Sequence, residues 1–129
     1  MSTRANIIVK DGYSKLFFYR HSDGYPKGTM PTLTKLLDWV KDGKLRDNVG
    51  QFSGWLILIG ALEYGNVPNV PVSTPAGYAH VEDIEDPKDW KVGAYEPTNG
   101  IHGDIEYLYI VDLQKKTIKT VRSDFNSYA

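Results

Sequence analysis

Two histidines that each stand two residues before an aspartate are the side chains best suited to chemistry in this sequence. His21 precedes Asp23, and His102 precedes Asp104. Imidazole and carboxylate groups transfer protons near neutral pH, and both are common ligands of zinc and non-haem iron. These four residues indicate an acid–base site or a metal site, provided that the fold brings the two pairs together.

Neither pair belongs to a spaced metal motif such as His-Glu-x-x-His. A metal site would need a third group, for which Glu96 and His80 are the candidates. Hydrogen-bonded loop histidines and Asx turns explain both pairs without a ligand. We therefore expect no metal and no cofactor. An acid–base pair, either His21 with Asp23 or Glu96 with His102, stays as an alternative, because such pairs are recognised by geometry.

The sequence lacks the common motifs of catalysis and nucleotide binding. It contains no cysteine, which excludes thiol nucleophiles, thiolate metal sites and disulfides. Ser53 lacks the flanking glycines of a Gly-x-Ser-x-Gly nucleophile elbow, and no glycine-rich phosphate loop occurs. These features favour a non-enzymatic protein over an enzyme.

The charge balance and the apolar runs restrict the partners. The 15 basic and 16 acidic residues give a formal net charge of −1, so no excess of positive charge drives binding to a nucleic-acid backbone. The longest apolar run, Trp55–Ile59, is far shorter than the roughly 20 residues of a membrane span, and the first residues lack the apolar core of a signal peptide. We expect a cytoplasmic protein that binds neither nucleic acid nor membrane.

The segments that must position these residues begin with a β-hairpin. Asn6–Lys10 and Leu16–Arg20 are rich in β-branched and aromatic residues. They flank Asp11-Gly12, a dipeptide that favours tight turns with positive φ. Three further strands are expected in the last third of the chain, at Trp90–Tyr95 and in a hairpin of Ile105–Val111 with Thr117–Val121.

A helix is predicted after the first hairpin. Pro31 suits its first turn, and Gly43 suits its end. Between them, apolar residues recur at the spacing of one buried helical stripe. The stripe consists of Leu33, Leu36, Leu37 and Val40, with Trp39 beside it.

A second helix is predicted from about Asn48, a good N-cap, to Tyr64. Its broad apolar face carries few charges, which indicates that it is the more buried of the two helices. Its internal glycines, Gly50, Gly54 and Gly60, lower helix propensity and indicate close packing. A strand over Trp55–Ile59 is the alternative.

The whole chain, residues 1–129, is expected to form one α+β domain. Its element order, ββααβββ, favours a single antiparallel sheet of about five strands with both helices packed on one face. A long loop at about residues 66–89, rich in proline and then acidic, is expected between the helices and the last strands. An edge strand of such a sheet would offer a surface for a homodimer.

The segment His21–Pro26 is the sharpest local signal for a binding surface. Asp23-Gly24 favours a turn, and Tyr25-Pro26 ends the preceding strand. Its structural interpretation is a shaped connection between strand and helix. Its functional interpretation is a binding patch, because loops gather at sheet ends and exposed tyrosines suit recognition. The candidate binding residues are Arg20, His21, Asp23, Tyr25, Glu96 and His102.

The same segment carries a family resemblance. Ser2–Val9 and Tyr19–Pro26 resemble segments of a family of small uncharacterised proteins encoded by bacteriophages and bacterial mobile elements. Those proteins open with a similar Ser-Thr-Arg-Ser/Ala-Asn-Ile strand and contain a similar His-x-Asp-Gly-Tyr-Pro loop. The resemblance extends to about Met30. It implies a phage or mobile-element origin and a functional loop, with Ser22 and Lys27 departing from the usual pattern.

Two functions from different classes follow. We expect a non-enzymatic phage or prophage accessory protein that binds a host protein or a small ligand through the His21–Pro26 loop, helped by the acidic loop. The alternative is a small hydrolase or a metal-dependent enzyme. Its catalytic or metal-binding residues would be His21, Asp23, His102 and Asp104.

Overall fold

A computed structural model describes residues 2–63, 93–122 and 125–128. It begins with the predicted hairpin, in which strand β1 (Ala5–Lys10) pairs antiparallel with strand β2 (Lys15–Arg20). The turn is closed by Asp11, whose Oδ1 accepts hydrogen bonds from the backbone N–H groups of Tyr13 and Ser14 at 2.7 and 2.8 Å. These bonds hold the pKa of Asp11 below its ordinary value. Positive φ at Gly12 was expected, but the turn does not use it.

Helix α1 (Pro26–Lys41) carries the predicted stripe but begins earlier than predicted. Pro26, not Pro31, occupies the first turn, because its fixed φ and missing N–H suit that position after the extended residue Tyr25. Pro31 consequently lies inside the helix. Gly43 follows the helix with a φ of +77°, as expected of a left-handed residue beyond a helix end. The leucine stripe is buried as predicted, at Leu33, Leu36, Leu37 and Val40.

Helix α2 (Val49–Glu63) confirms the helical prediction over the strand alternative. Asn48 caps it, since its Oδ1 accepts the N–H of Gln51 at 2.8 Å. The expectation that it is the more buried helix is not confirmed, because each helix buries five residues. A narrow stripe that includes Phe52 and Leu56 is buried, whereas Trp55 and Leu62 are 39% and 60% exposed.

The internal glycines of α2 have different surroundings. A Cβ on Gly60 would lie 2.8 Å from Cδ2 of Tyr95, whereas a Cβ on Gly54 would meet nothing within 4 Å. Close packing therefore explains Gly60 but not Gly54. The partner of Gly60 is the chain around Gly93–Tyr95, and the backbone N–H of Ala94 donates to the Gly60 carbonyl at 3.0 Å.

Three more strands complete one five-stranded sheet: β3 (Glu96–Thr98), β4 (Tyr107–Asp112) and β5 (Thr117–Val121). The strand order is β3-β2-β1-β4-β5. The element order ββααβββ is as predicted, but the expected antiparallel sheet is wrong, because β1 and β4 pair in parallel. The helices lie between the first hairpin and β4 in the chain, which lets the chain re-enter the sheet in the direction of β1.

The predicted strand at Trp90–Tyr95 is shifted along the chain. The regular pairing with β2 begins at Glu96, and Gly93–Tyr95 instead packs against α2. Residues 90–92 and the expected loop at 66–89, which includes His80, lie outside the described residues. Neither helix of the described ranges has the length and apolarity to cross a membrane.

The alternating side chains of the sheet form two cores. Residues such as Ile7, Phe18 and Val111 face both helices, as predicted for helices on one face. On the opposite face, Ile8 and Tyr19 belong to a smaller core. That core is covered by the segment before β4 and by a short 3₁₀ helix at Phe125–Tyr128, with Ile101, Ile105, Phe125 and Tyr128 as the covering side chains.

Candidate binding cleft

The candidate site lies where β2 ends, on the sheet face opposite the helices. Successive side chains of a strand point to opposite faces. Phe18 faces the helices, so Tyr19 faces away from them, and His21 contacts Tyr19 on that side. In the neighbouring edge strand β3, Glu96 is the register partner of Tyr19. The pairing of β2 with β3 therefore brings a carboxylate beside the aromatic and imidazole rings.

These side chains surround a cleft of about 340 Å³. We define the His21 cleft by its six lining residues, which are Tyr19, His21, Glu96, Thr98, His102 and Asp104. Three of the six candidate binding residues from the sequence meet here, namely His21, Glu96 and His102. Asp104, from the second His-x-Asp pair, joins them.

Each imidazole of the His21 cleft contacts an oxygen of β3. Nε2 of His21 lies 3.3 Å from Oε2 of Glu96, and both side chains are about half exposed or more, at 67% and 48%. Nε2 of His102 lies 2.7 Å from Oγ1 of Thr98. The short strand β3 therefore fixes both histidines from one side, although it comes from a different part of the chain than His21.

Tyr19 is the centre of the His21 cleft and was not among the candidates from the sequence. Its ring stacks on His102 with a centroid distance of 4.0 Å and meets His21 edge-on at 4.5 Å. Its hydroxyl donates to Oδ2 of Asp104 at 2.8 Å. Burial and this carboxylate raise the pKa of Tyr19. Arg4 pairs with the same carboxylate oxygen at 3.5 Å.

Asn6 is a second residue that the sequence did not single out, and it holds the His102 loop in place. The side chain is fully buried on β1. Its Nδ2 donates to the carbonyl of Phe18 at 2.8 Å and to that of Gly100 at 3.4 Å, and its Oδ1 accepts the N–H of His102 at 2.7 Å. A buried amide bonded in this way orients the loop that carries His102.

The other three candidate binding residues do not line this cleft. Arg20 is fully buried on the helix side of the sheet, where its guanidinium pairs with Glu63 of α2 and lies 5.0 Å above the ring of Tyr95. Its Nε donates to the carbonyls of Ser22 and Asp23 at 2.7 and 3.2 Å. Arg20 thus organises the turn between β2 and α1.

Asp23 and Tyr25 belong to that turn. Asp23 has a φ of +57°, and its Oδ1 accepts the hydroxyl of Tyr25 at 3.2 Å. Gly24 fits tightly because a Cβ there would lie 2.8 Å from Cβ of Ala5, and its N–H donates to the carbonyl of Thr3. The hydroxyl of Tyr109 donates to the Gly24 carbonyl at 2.6 Å. The turn is therefore tied to the sheet on both sides.

Burial raises the pKa of Tyr109 to about 12, which predicts a loss of stability in alkali. An unfolded tyrosine loses its proton near pH 10. Between pH 10 and 12 the folded state therefore binds more protons, and the free energy of unfolding falls as the pH rises. Urea denaturation at several pH values between about 9 and 12 measures this decline.

The variant Tyr109→Phe is expected to show a shallower decline over the same range. Some decline remains, because burial also raises the pKa of Tyr95 and of Tyr19. Equal slopes in the variant and the parent would show that Tyr109 does not cause the alkaline loss.

Among the described residues, no three histidine, aspartate or glutamate side chains are arranged to hold one metal ion. Asp23 lies in the turn bonded to Arg20, so it is separated from the His102–Asp104 pair that the hydrolase or metal alternative combined with it. Comparison of the chain with protein-family models, with curated proteins and with solved structures finds no match.

Proposed function

We propose that the protein is a non-enzymatic binding protein whose His21 cleft takes a small polar ligand. The observation that carries the proposal is the meeting of two imidazoles, two carboxylates and Tyr19 around one open cleft. We further propose a phage or prophage accessory role, which rests on the resemblance of the segments Ser2–Val9 and Tyr19–Pro26 alone.

The shape of the site supports a small ligand over a host protein. Ligand-binding clefts usually have volumes of about 300–1,000 Å³ and use a few convergent polar groups, and the His21 cleft has about 340 Å³. A protein partner is more often bound by a larger surface with an apolar centre. The concave, polar character of the cleft therefore favours a molecule with few non-hydrogen atoms.

The strand and the loop that carry the cleft residues are held in place, which favours binding of a ligand in one defined geometry. Tyr19 lies in β2, which is hydrogen-bonded on both sides, and the loop with His102 is held by Asn6. Side chains on such supports lose little conformational freedom when a ligand binds, which preserves affinity. The end of a sheet also leaves the cleft open to solvent, so that a ligand can enter without a rearrangement of strands.

One contact supports a hydrolase as a second candidate. Oγ1 of Thr98 lies 2.7 Å from Nε2 of His102, and a hydroxyl beside an imidazole is the arrangement of a nucleophile with its base. A triad also needs a carboxylate that orients the imidazole. Asp104 instead accepts the hydroxyl of Tyr19. Hydrolysis of p-nitrophenyl acetate that is lost in Thr98→Val would favour this candidate over binding alone.

The binding proposal is tested by NMR titration with a panel of anionic, neutral and cationic molecules of similar size. We expect at least one compound to shift resonances of the cleft residues and to lose this effect in His21→Ala and Glu96→Gln. Both side chains are largely exposed, so these variants should fold. Asp38→Asn on the exposed side of α1 is the matched control. The proposal is wrong when no compound binds, or when binding survives both cleft variants.

A further inference from the structure

We infer that the ligand of the His21 cleft is a small organic cation whose ammonium or guanidinium group binds the carboxylates of Glu96 and Asp104. This inference rests on the proposed function and names the chemical class of the ligand. It follows from the unused hydrogen-bonding capacity of the two carboxylates and from the charges that line the cleft.

Each of the two carboxylates has an oxygen that can accept further hydrogen bonds. Each carboxylate oxygen has two lone pairs. Glu96 contacts His21 through Oε2, and Asp104 contacts Tyr19 and Arg4 through Oδ2. Within the described residues, Oε1 of Glu96 and Oδ1 of Asp104 accept no hydrogen bond. A ligand rich in N–H donors would satisfy both oxygens, and an ammonium offers three such donors and a guanidinium five.

The charge of the lining residues also favours a cation. Of the six residues that line the cleft, two carry a carboxylate, and none is a lysine or an arginine. The guanidinium of Arg4 already pairs with Asp104. The two carboxylates of the cleft outnumber the single guanidinium of Arg4. An anionic ligand would meet carboxylate lone pairs at close range, where like charges are disfavoured.

The number of available ligating side chains also favours an organic cation over a bare metal ion. A metal would need three or more ligating side chains, and the described residues offer no such group. An organic cation needs only hydrogen-bond acceptors around its charged end, while the rings of His21 and His102 contact its carbon chain.

The test uses three probes of similar size and different charge: butylguanidinium, butylurea and pentanoate. Their binding to the protein is followed by NMR titration at pH 8 and low salt, where imidazoles are ordinarily neutral. We expect butylguanidinium to shift the resonances of the cleft, and we expect butylurea and pentanoate to bind at least roughly tenfold more weakly, because hydrogen bonds between charged groups are the stronger ones. Added sodium chloride should weaken the binding.

The outcomes separate this inference from the proposed function. Binding of butylurea or pentanoate in the cleft, at equal or higher affinity than butylguanidinium, overturns the cation and leaves a ligand-binding cleft. When none of the three probes and no member of the wider panel binds, both ideas fail. Binding of butylguanidinium at a distant surface, for instance near Asp47, also overturns the cation inference.

A pair of matched variants tests the carboxylate of Glu96. Glu96→Gln keeps the shape of the side chain and is expected to weaken butylguanidinium binding roughly fivefold, a value suited to a half-exposed pair. Asp38→Asn, outside the cleft, should leave the affinity unchanged. An unchanged affinity in Glu96→Gln overturns the role of this carboxylate. The guanidinium of the ligand has two sources, a free molecule or an arginine side chain of a peptide. Butylguanidinium and N-acetylarginine methylamide carry the same charge, and only the second has peptide groups. Tighter binding of the second indicates a peptide, and equal or weaker binding indicates a free molecule.

Discussion

Glu63→Gln is expected to lower the free energy of unfolding by about 3 kcal/mol. The guanidinium of Arg20 has no exposed surface, and its Nη1 donates to Oε2 of Glu63 at 3.0 Å while Nη2 donates to Oε1. A buried charge is stable only when an opposite charge and hydrogen bonds compensate for its lost hydration. The amide of glutamine offers one oxygen and no charge, so the buried guanidinium loses the opposite charge that Glu63 supplies.

Two controls make the measurement specific. Asp38→Asn neutralises an exposed carboxylate and is expected to change stability by less than about 0.5 kcal/mol. The double variant Arg20→Met/Glu63→Leu removes both charges and should recover part of the lost stability, since a buried ion pair contributes little over apolar side chains of similar size. The recovery is incomplete because the carbonyls of Ser22 and Asp23 lose their hydrogen bonds from Arg20 Nε. Urea denaturation gives all three values. A loss below about 1 kcal/mol in Glu63→Gln would mean that Arg20 does not depend on Glu63.

Gly93→Ala is expected to have a comparable effect, a loss of up to about 3 kcal/mol, for a steric reason. A Cβ on Gly93 would lie 2.5 Å from the backbone nitrogen of Ala61 and 2.6 Å from the carbonyl carbon of Gly60. Both atoms belong to the backbone of α2, so they cannot turn aside as a side chain can. The helix and the chain before β3 must separate, which also strains the hydrogen bond from Ala94 to the Gly60 carbonyl.

Gly100→Ala is the matched control for this prediction. Gly100 also lies in the chain near β3, but a Cβ there would meet nothing within 4 Å. Its substitution should change the midpoint of thermal unfolding by no more than a few degrees. If the two alanine variants had the same unfolding temperature, the close approach of Gly93 to α2 would not contribute to stability.

The elements predicted well are those encoded by residues close together in the chain. The first hairpin follows from two β-rich runs around Asp11-Gly12, and β5 lies where its β-branched residues predict it. Helix α1 was predicted to start at Pro31 but starts at Pro26. Both prolines suit a first turn, and local sequence alone does not choose between them. The parallel pairing of β1 with β4 was missed, because strand direction depends on where a distant segment enters the sheet.

The candidate site shows the same division between local and distant information. The chemical types of His21, Glu96 and His102 marked them as candidates, and the structure brings them to one cleft. Arg20 was expected at the surface because arginines are seldom buried without a partner. Its partner, Glu63, is far away in the sequence, so burial of Arg20 could not be anticipated. Tyr19 was missed because its strand pattern does not tell which sheet face the helices leave uncovered.

The pairing of β1 with β4 also bears on how the chain reaches its fold. Ala5 is aligned with Tyr107, so the central contact of the sheet joins two segments that are separated by most of the chain. Closing so long a loop costs entropy before any contact rewards it, and proteins with many such contacts fold slowly. During synthesis, β1 and β2 would leave the ribosome as a two-stranded hairpin, which is only marginally stable. The pairing of β1 with β4 would form only after β4 emerges.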